Sequence, residues 1–172
     1  MQQAYATMVS MVEPLDPVSL MEDALRMNAL SFARHSVQIA REFSPVPPVL
    51  AEKAKLLQIL VNLISNANQA CESGGRGEKI ITLVIEPGTA GFVRLIVRDN
   101  GIGIAPENLT RVFAHGFTTK PTGHGFGLHS AANTAKEMKG RLSAQSDGPG
   151  TGATFILELP VATALPSTAT AA

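Results

Sequence analysis

Three groups of residues in this chain have types and spacings suited to chemistry. The first lies in "VNLISNANQA" (61–70), a stretch with helical apolar spacing that still carries Asn62, Asn66 and Asn68, with Gln58 and Gln69 close by. Asn is a mediocre helix former, because its short amide competes for nearby backbone groups. Projected onto a helix, Leu56, Leu57, Leu60, Leu63, Ile64, Ala67 and Ala70 make one apolar face. Gln58, Asn62, Ser65, Asn66 and Gln69 recur on the other, with no charge among them. An amide oxygen suits a hard metal ion and an amide NH2 suits a phosphate, so this stripe fits a polyanion that brings its own cation. The residues alone also leave a solvated face open, although such faces normally carry Lys, Glu and Arg.

The second and third groups are rich in glycine. "LIVRDNGIGI" (95–104) reads as a strand running into Asp99 and two glycines, Gly101 and Gly103. Asp99 at the strand end can accept from an amino group, and bare backbone at the glycines lets a ligand lie close. A plain Asn-Gly turn is the other reading. "GHGFGLH" (123–129) opens a helix, whose first backbone N–H groups favour phosphate. Neither stretch is a dinucleotide fingerprint: the third glycine expected after Gly103 is Pro106, and polar "TTKPT", not a strand, precedes Gly123. No P-loop pattern exists. Phosphates must be reached by another arrangement.

The elements that would position these groups follow from spacing. All 15 glycines lie at or beyond position 74, so regular structure is expected first and tight turns later. Residues 2–12 resemble the last turns of a helix, with Ala4, Met8 and Met11 on one stripe. Asp16 as N-cap with Pro17 opens a helix that continues through Val18, Met21, Leu25 and Phe32. "HSVQIAREF" predicts a strand that includes His35, and "SPVPP" turns the chain into a long helix over about 52–72. "KIITLVIEP" and "FVRLIVRDN" form a hairpin across "GTAG". A helix over about 126–139 and a final pair of strands complete the order. Two hairpins exclude an all-parallel sheet, so an α/β (α+β) two-layer sandwich is predicted, a mixed, mostly antiparallel sheet with helices on one face. After Pro160 the sequence is low in complexity, and 161–172 is expected to be disordered.

Composition narrows the function class. The 172 residues allow one domain with a real core, and 14 Lys plus Arg balance 14 Asp plus Glu. Without a basic excess, no nucleic-acid partner and no acidic lipid surface is expected. The single Cys71 excludes an internal disulfide and suits helix packing. No apolar run approaches the roughly 20 residues of a membrane span, and no leader opens the chain, so a cytoplasmic setting without membrane contact is expected.

Taken together, "NLISNA", "DNGIGI", "FAHGFTTK", "GHGFGLH" and "GTGATF", in this order and at these separations, resemble the asparagine, first glycine, phenylalanine, second glycine and last glycine boxes of sensor histidine kinases. Their catalytic ATP-binding domain has the Bergerat fold, shared with gyrase, MutL and heat-shock chaperone ATPases. The resemblance covers about 15–160, which leaves 1–14 as the tail of a dimerisation helix or a linker. It implies that Asn66 coordinates Mg²⁺, that Asn62 contacts the phosphates, and that Asp99 accepts from the adenine amino group of ATP, with Thr154 supporting the same end. It places Gly101, Ile102, Gly103 and Ile104 of one box, and Gly123, His124, Gly125, Phe126, Gly127 and Leu128 of the other, among the nucleotide-binding residues. Residues 113–124 would form a lid carrying Lys120, which with Asn62 makes the catalytic pair at the phosphates.

The same resemblance implies limits. The ATPase relatives carry Glu where Asn62 stands, and an amide takes no proton at neutral pH, so fast hydrolysis is not expected. The acceptor in the family is a histidine on a separate dimerisation domain, usually followed by an acidic residue. The four histidines here, in "HSVQ", "HGFT", "HGFG" and "HSAA", do not match. The chain is therefore expected to serve that domain of the same parent kinase, with a response regulator downstream, while lacking autophosphorylation and staying monomeric when isolated. The parent is left free to be membrane-associated. Gln69 stands where many relatives have Lys near the phosphates, and "FAHGFTTK" has His-Gly where many have Pro-Phe. The alternatives are a degenerate nucleotide-binding docking module without phosphotransfer, or a superfamily ATPase or serine kinase.

Overall fold

The alternation in the β-rich stretches decides the architecture. In a computed structural model of the chain, which describes residues 11–74, 77–114, 116–117 and 127–162, strands β4 (Lys79–Pro87), β5 (Phe92–Asp99) and β7 (Ala153–Pro160) each bury every second residue. Leu83 and Ile85 lie opposite Val97 and Leu95, with Ile81 opposite Asp99, and Val97, Leu95 and Val93 lie opposite Phe155, Leu157 and Leu159. The face they share joins one core with Met21, Ala24, Leu56, Leu60, Leu63 and Ile64 of the helices. With β2 (Val37–Phe43) and β6 (Arg141–Gln145), the five strands run in the order β2-β4-β5-β7-β6. Only β2 and β4 are parallel. The mixed, mostly antiparallel sheet with helices was thus legible from the two hairpins.

Helix α1 (Pro17–Met27) begins as its sequence dictates: the Asp16 carboxylate accepts from the Val18 N–H at 3.2 Å, and Pro17 needs no partner in the first turn. It ends earlier than its apolar spacing predicts. Asn28 turns its amide back onto the Ala24 carbonyl at 3.1 Å, and a separate α2 (Ala29–His35) carries Phe32. His35 therefore ends a helix, not the expected strand. α3 (Lys53–Gly74) is the long helix, α4 (Pro106–Leu109) a single turn, and α5 (Gly127–Glu137) follows the second glycine stretch.

Two strands were not expected. β1 (Val12–Leu15) and β3 (Val49–Glu52) pair antiparallel as a separate ribbon, so Val12 is extended where a helix tail was predicted. Four residues around Pro14, and four after Pro47-Pro48, are too short for period-two alternation to register. At the other end, Val161 bridges to Val49 and the Ala162 N–H donates to the Pro48 carbonyl at 2.8 Å. Ordered structure thus extends beyond both 15 and 160. Residues 2–10 and 163–172, for which a helix tail and disorder are expected, lie outside the described residues. Among the described residues no helix is long and apolar enough to cross a membrane.

Candidate functional site

Helix α3 is the spine of the site. Its apolar face is fully committed to the core through Leu56, Leu60, Leu63, Ile64 and Ala67, which turns the amide stripe outward. Asn62 and Asn66, one turn apart, are half-buried, and Gln69 is exposed. Asn68, the remaining amide of this stretch, has a different job: only 2 % exposed, it donates to the Ser31 hydroxyl at 2.5 Å and lies 3.4 Å from the His35 imidazole. Of the amides in "VNLISNANQA", one braces α2 and the others face away from the core.

Asp99 ends β5 on the core face and is 5 % exposed. Its carboxylate accepts the Gly101 N–H at 2.9 Å, and the Ala153 N–H across the ladder holds it as well. Burial pushes its pKa above the usual carboxylate value, and these two N–H groups oppose the rise. Asn100 braces the same corner from outside: its oxygen accepts the Ile80 N–H at 2.9 Å and its NH2 donates to the Glu78 carbonyl at 2.7 Å. A buried acceptor is therefore fixed at the sheet end with hydrogen-bonding capacity left for a donor.

The first glycine stretch is packed against neighbouring backbone. A Cβ on Gly101 would drive into the Ala70 carbonyl of α3, and one on Gly103, where φ is +72°, into the Gly148 carbonyl. These glycines admit neighbouring backbone first. The Ile102 N–H donates to the Ala70 carbonyl at 3.1 Å, and the Ile102 carbonyl accepts from the Gly150 N–H at 2.6 Å. The loop is stitched between α3 and the β6–β7 turn, with the Ile102 side chain 39 % exposed. Ile104 packs on the core, and its N–H donates to the Ser146 hydroxyl at 3.0 Å.

The second glycine stretch meets the amide stripe directly. A Cβ on Gly127, the first residue of α5, would lie 2.8 Å from Nδ2 and 3.0 Å from Oδ1 of Asn62. Leu128 packs against the core. Gly101 touches α3 at Ala70 and Gly127 touches it at Asn62, eight residues apart, or about 12 Å along the helix. The structure thus brings Asn62, Gly127, Gly101 and Asp99 together along one helix, with Asn66 between the two contact points.

Thr154 is not brought beside Asp99. The register sets Ala153 opposite Asp99, while Thr154 lies opposite Arg98 and Gln145, on the other face of the sheet. Sequence reading missed the Ala153 N–H because a backbone donor leaves no residue-type signal. Lys120, Gly123, His124, Gly125 and Phe126 lie outside the described residues, as does most of the stretch expected to form the lid.

With this geometry in place, comparisons with known proteins point one way. Residues 51–163 match the family described as histidine kinase-, DNA gyrase B-, and HSP90-like ATPase. The chain is 33 % identical over 164 residues to the sensor histidine kinase ZraS of Escherichia coli, with 88 % of this chain and 34 % of that protein covered. It is similar to full-length ShkA, solved in complex with AMPPNP, with a TM-score of 0.75, 29 % identity, and 87 % of this chain and 31 % of that one covered. The catalytic domain of histidine kinase ThkA shares the fold, with a TM-score of 0.76, 24 % identity, and coverage of 87 % of this chain and 95 % of that domain. The chain spans only 16 % to 34 % of the length of three curated relatives that it matches.

Proposed function

This chain belongs to the family of histidine kinase-, DNA gyrase B- and HSP90-like ATPases, and from that premise we propose that it binds Mg²⁺-ATP along α3 and presents the γ-phosphoryl to a histidine on a separate dimerisation domain. The observation that supports this most is the contact of Gly127 with the Asn62 amide. It lays the start of a helix, a natural anion site, on the face that already carries the half-buried Asn66.

Each residue then has a role. Asp99 accepts from the adenine amino group while its other bonds, to Gly101 and Ala153, keep it oriented. Asn62 and the first N–H groups of α5 hold the phosphates. Asn66 would hold Mg²⁺ through its amide oxygen, a hard donor that fits that ion. Mg²⁺ held there would supply charge neutralisation at the phosphates. Phosphoryl transfer asks the protein for positioning and charge stabilisation rather than covalent chemistry. Nothing in the amide stripe can take a proton from water, so the phosphoryl group waits for an imidazole. The partners in this reading are the histidine-bearing dimerisation domain of the parent kinase and, downstream, a response regulator.

The test is a chimera that fuses the dimerisation domain of a related sensor kinase ahead of residue 11, incubated with γ-phosphate-labelled ATP. Label on the acceptor histidine, lost in Asn62→Ala, is expected. Nucleotide binding without label would favour the docking module, and rapid phosphate release by this chain alone would favour an ATPase.

A further inference from the structure

His129 sits in the first turn of α5, half-buried, two residues past the glycine that touches Asn62. Its Nδ1 is 3.0 Å from the Phe113 carbonyl oxygen, and its Nε2 is 3.1 Å from the Asn133 side-chain nitrogen. A carbonyl only accepts, so Nδ1 carries the proton and donates. Nε2 is then a lone pair that accepts from the Asn133 NH2. Phe113 is itself anchored: its ring meets Phe155 of β7 edge-on, with centroids 6.3 Å apart and planes at 89°. One imidazole therefore ties the start of α5 to a point fixed on the sheet, across 16 residues of chain.

We propose that His129 is a positioning residue for the phosphate end of the site. By donating to Phe113 it fixes the first turn of α5, and with it the approach of Gly127 to Asn62, while Asn133 holds the imidazole in the tautomer that can donate. The role rests on the nucleotide reading above, because what Gly127 and Asn62 jointly hold there is a phosphate. It differs from mere packing in one respect: it touches phosphate binding and leaves the adenine end, at Asp99, alone.

The experiment is calorimetric titration of the full chain with ATP and with adenosine in Mg²⁺, for wild type, His129→Ala, His129→Asn and Asn133→Ala. Losing the hydrogen bond to Phe113 should weaken ATP by about five- to tenfold in His129→Ala. The shorter amide introduced by His129→Asn places a donor near the Nδ1 position, so that variant should recover to within about threefold of wild type. Asn133→Ala, on the exposed side of α5, should weaken ATP by about two- to threefold. Adenosine affinity should be equal in all four. ATP bound by His129→Ala as tightly as by wild type would overturn the proposal, and so would equal losses for ATP and adenosine. If His129→Ala does not fold, unchanged ATP affinity in Asn133→Ala overturns it. A wild type that binds neither ligand would instead overturn the nucleotide reading, and this role with it.

Discussion

Replacing Asp99 by Asn separates the two consequences of burying this carboxylate. The Asn oxygen can still accept the Gly101 N–H, which now lies at 2.9 Å, so the corner keeps its shape. The second carboxylate oxygen becomes an NH2, and a purine amino group then meets a donor instead of an acceptor. Losing a hydrogen bond to a charged group costs about 1.5–3 kcal/mol, and leaving a buried donor unpaired about 1–3 more. Together, about 2.5–6 kcal/mol corresponds to a loss of ATP affinity of roughly 60-fold to 20,000-fold. Stability should move the other way. Burial raises the folded pKa of Asp99, so this group favours the folded state below its unfolded pKa and loses that contribution as pH rises through the folded value. Above its folded pKa the ionised side chain is a burden on the free fold, and the neutral amide relieves it. Calorimetry with ATP and thermal melting at pH 7 test both halves. Binding weakened by less than about tenfold, or a variant that unfolds at pH 7, would refute the reasoning.

Wild-type ATP affinity should fall as pH is lowered, starting at a higher pH than an exposed Asp would allow because burial holds Asp99 up; a pH titration of ATP binding should show this, with Asp99→Asn flat. Gly101→Ala should cost about 3 kcal/mol or more, since its Cβ meets rigid Ala70 backbone, and chemical denaturation measures the loss. Gly127→Ala meets only the end of the Asn62 side chain, so its denaturation midpoint should stay near wild type while ATP titration shows weaker binding. Cys71, 2 % exposed and with its thiol pushed up by burial, should react with iodoacetamide at the rate of unfolding and not at the rate of a free thiol.

The sheet, its hairpins and the long helix were legible because their apolar periods run for several residues and end in glycine or proline. β1 and β3 were not, since four residues against prolines carry no period, and their pairing depends on a contact between positions 12–15 and 49–52. At the site, side chains were easier to read than backbone. Asp99, Asn62 and Asn66 announced themselves by residue type, whereas the Ala153 N–H behind Asp99 carries no such mark. Thr154 shows the same limit: the resemblance implied a support for the adenine end there, but a ladder alternates faces, and the register gave that side to Ala153. Gly101 and Gly103 admit the backbone of Ala70 and Gly148, and close approach of a ligand makes the same demand on sequence. His129 stood in a recognised stretch, yet its partners lie 16 residues back and one helical turn ahead.

Helix α3 is proposed to hold Mg²⁺-ATP through the amides of Asn62 and Asn66. Titrating the chain with ATP in Mg²⁺ and again in EDTA, for wild type and Asn66→Ala, tests it most directly. Tighter binding with Mg²⁺ is expected in the wild type, and in Asn66→Ala a residual affinity that no longer depends on the metal. Mg²⁺ dependence that survives in Asn66→Ala, or a wild type that binds no ATP under either condition, would contradict it.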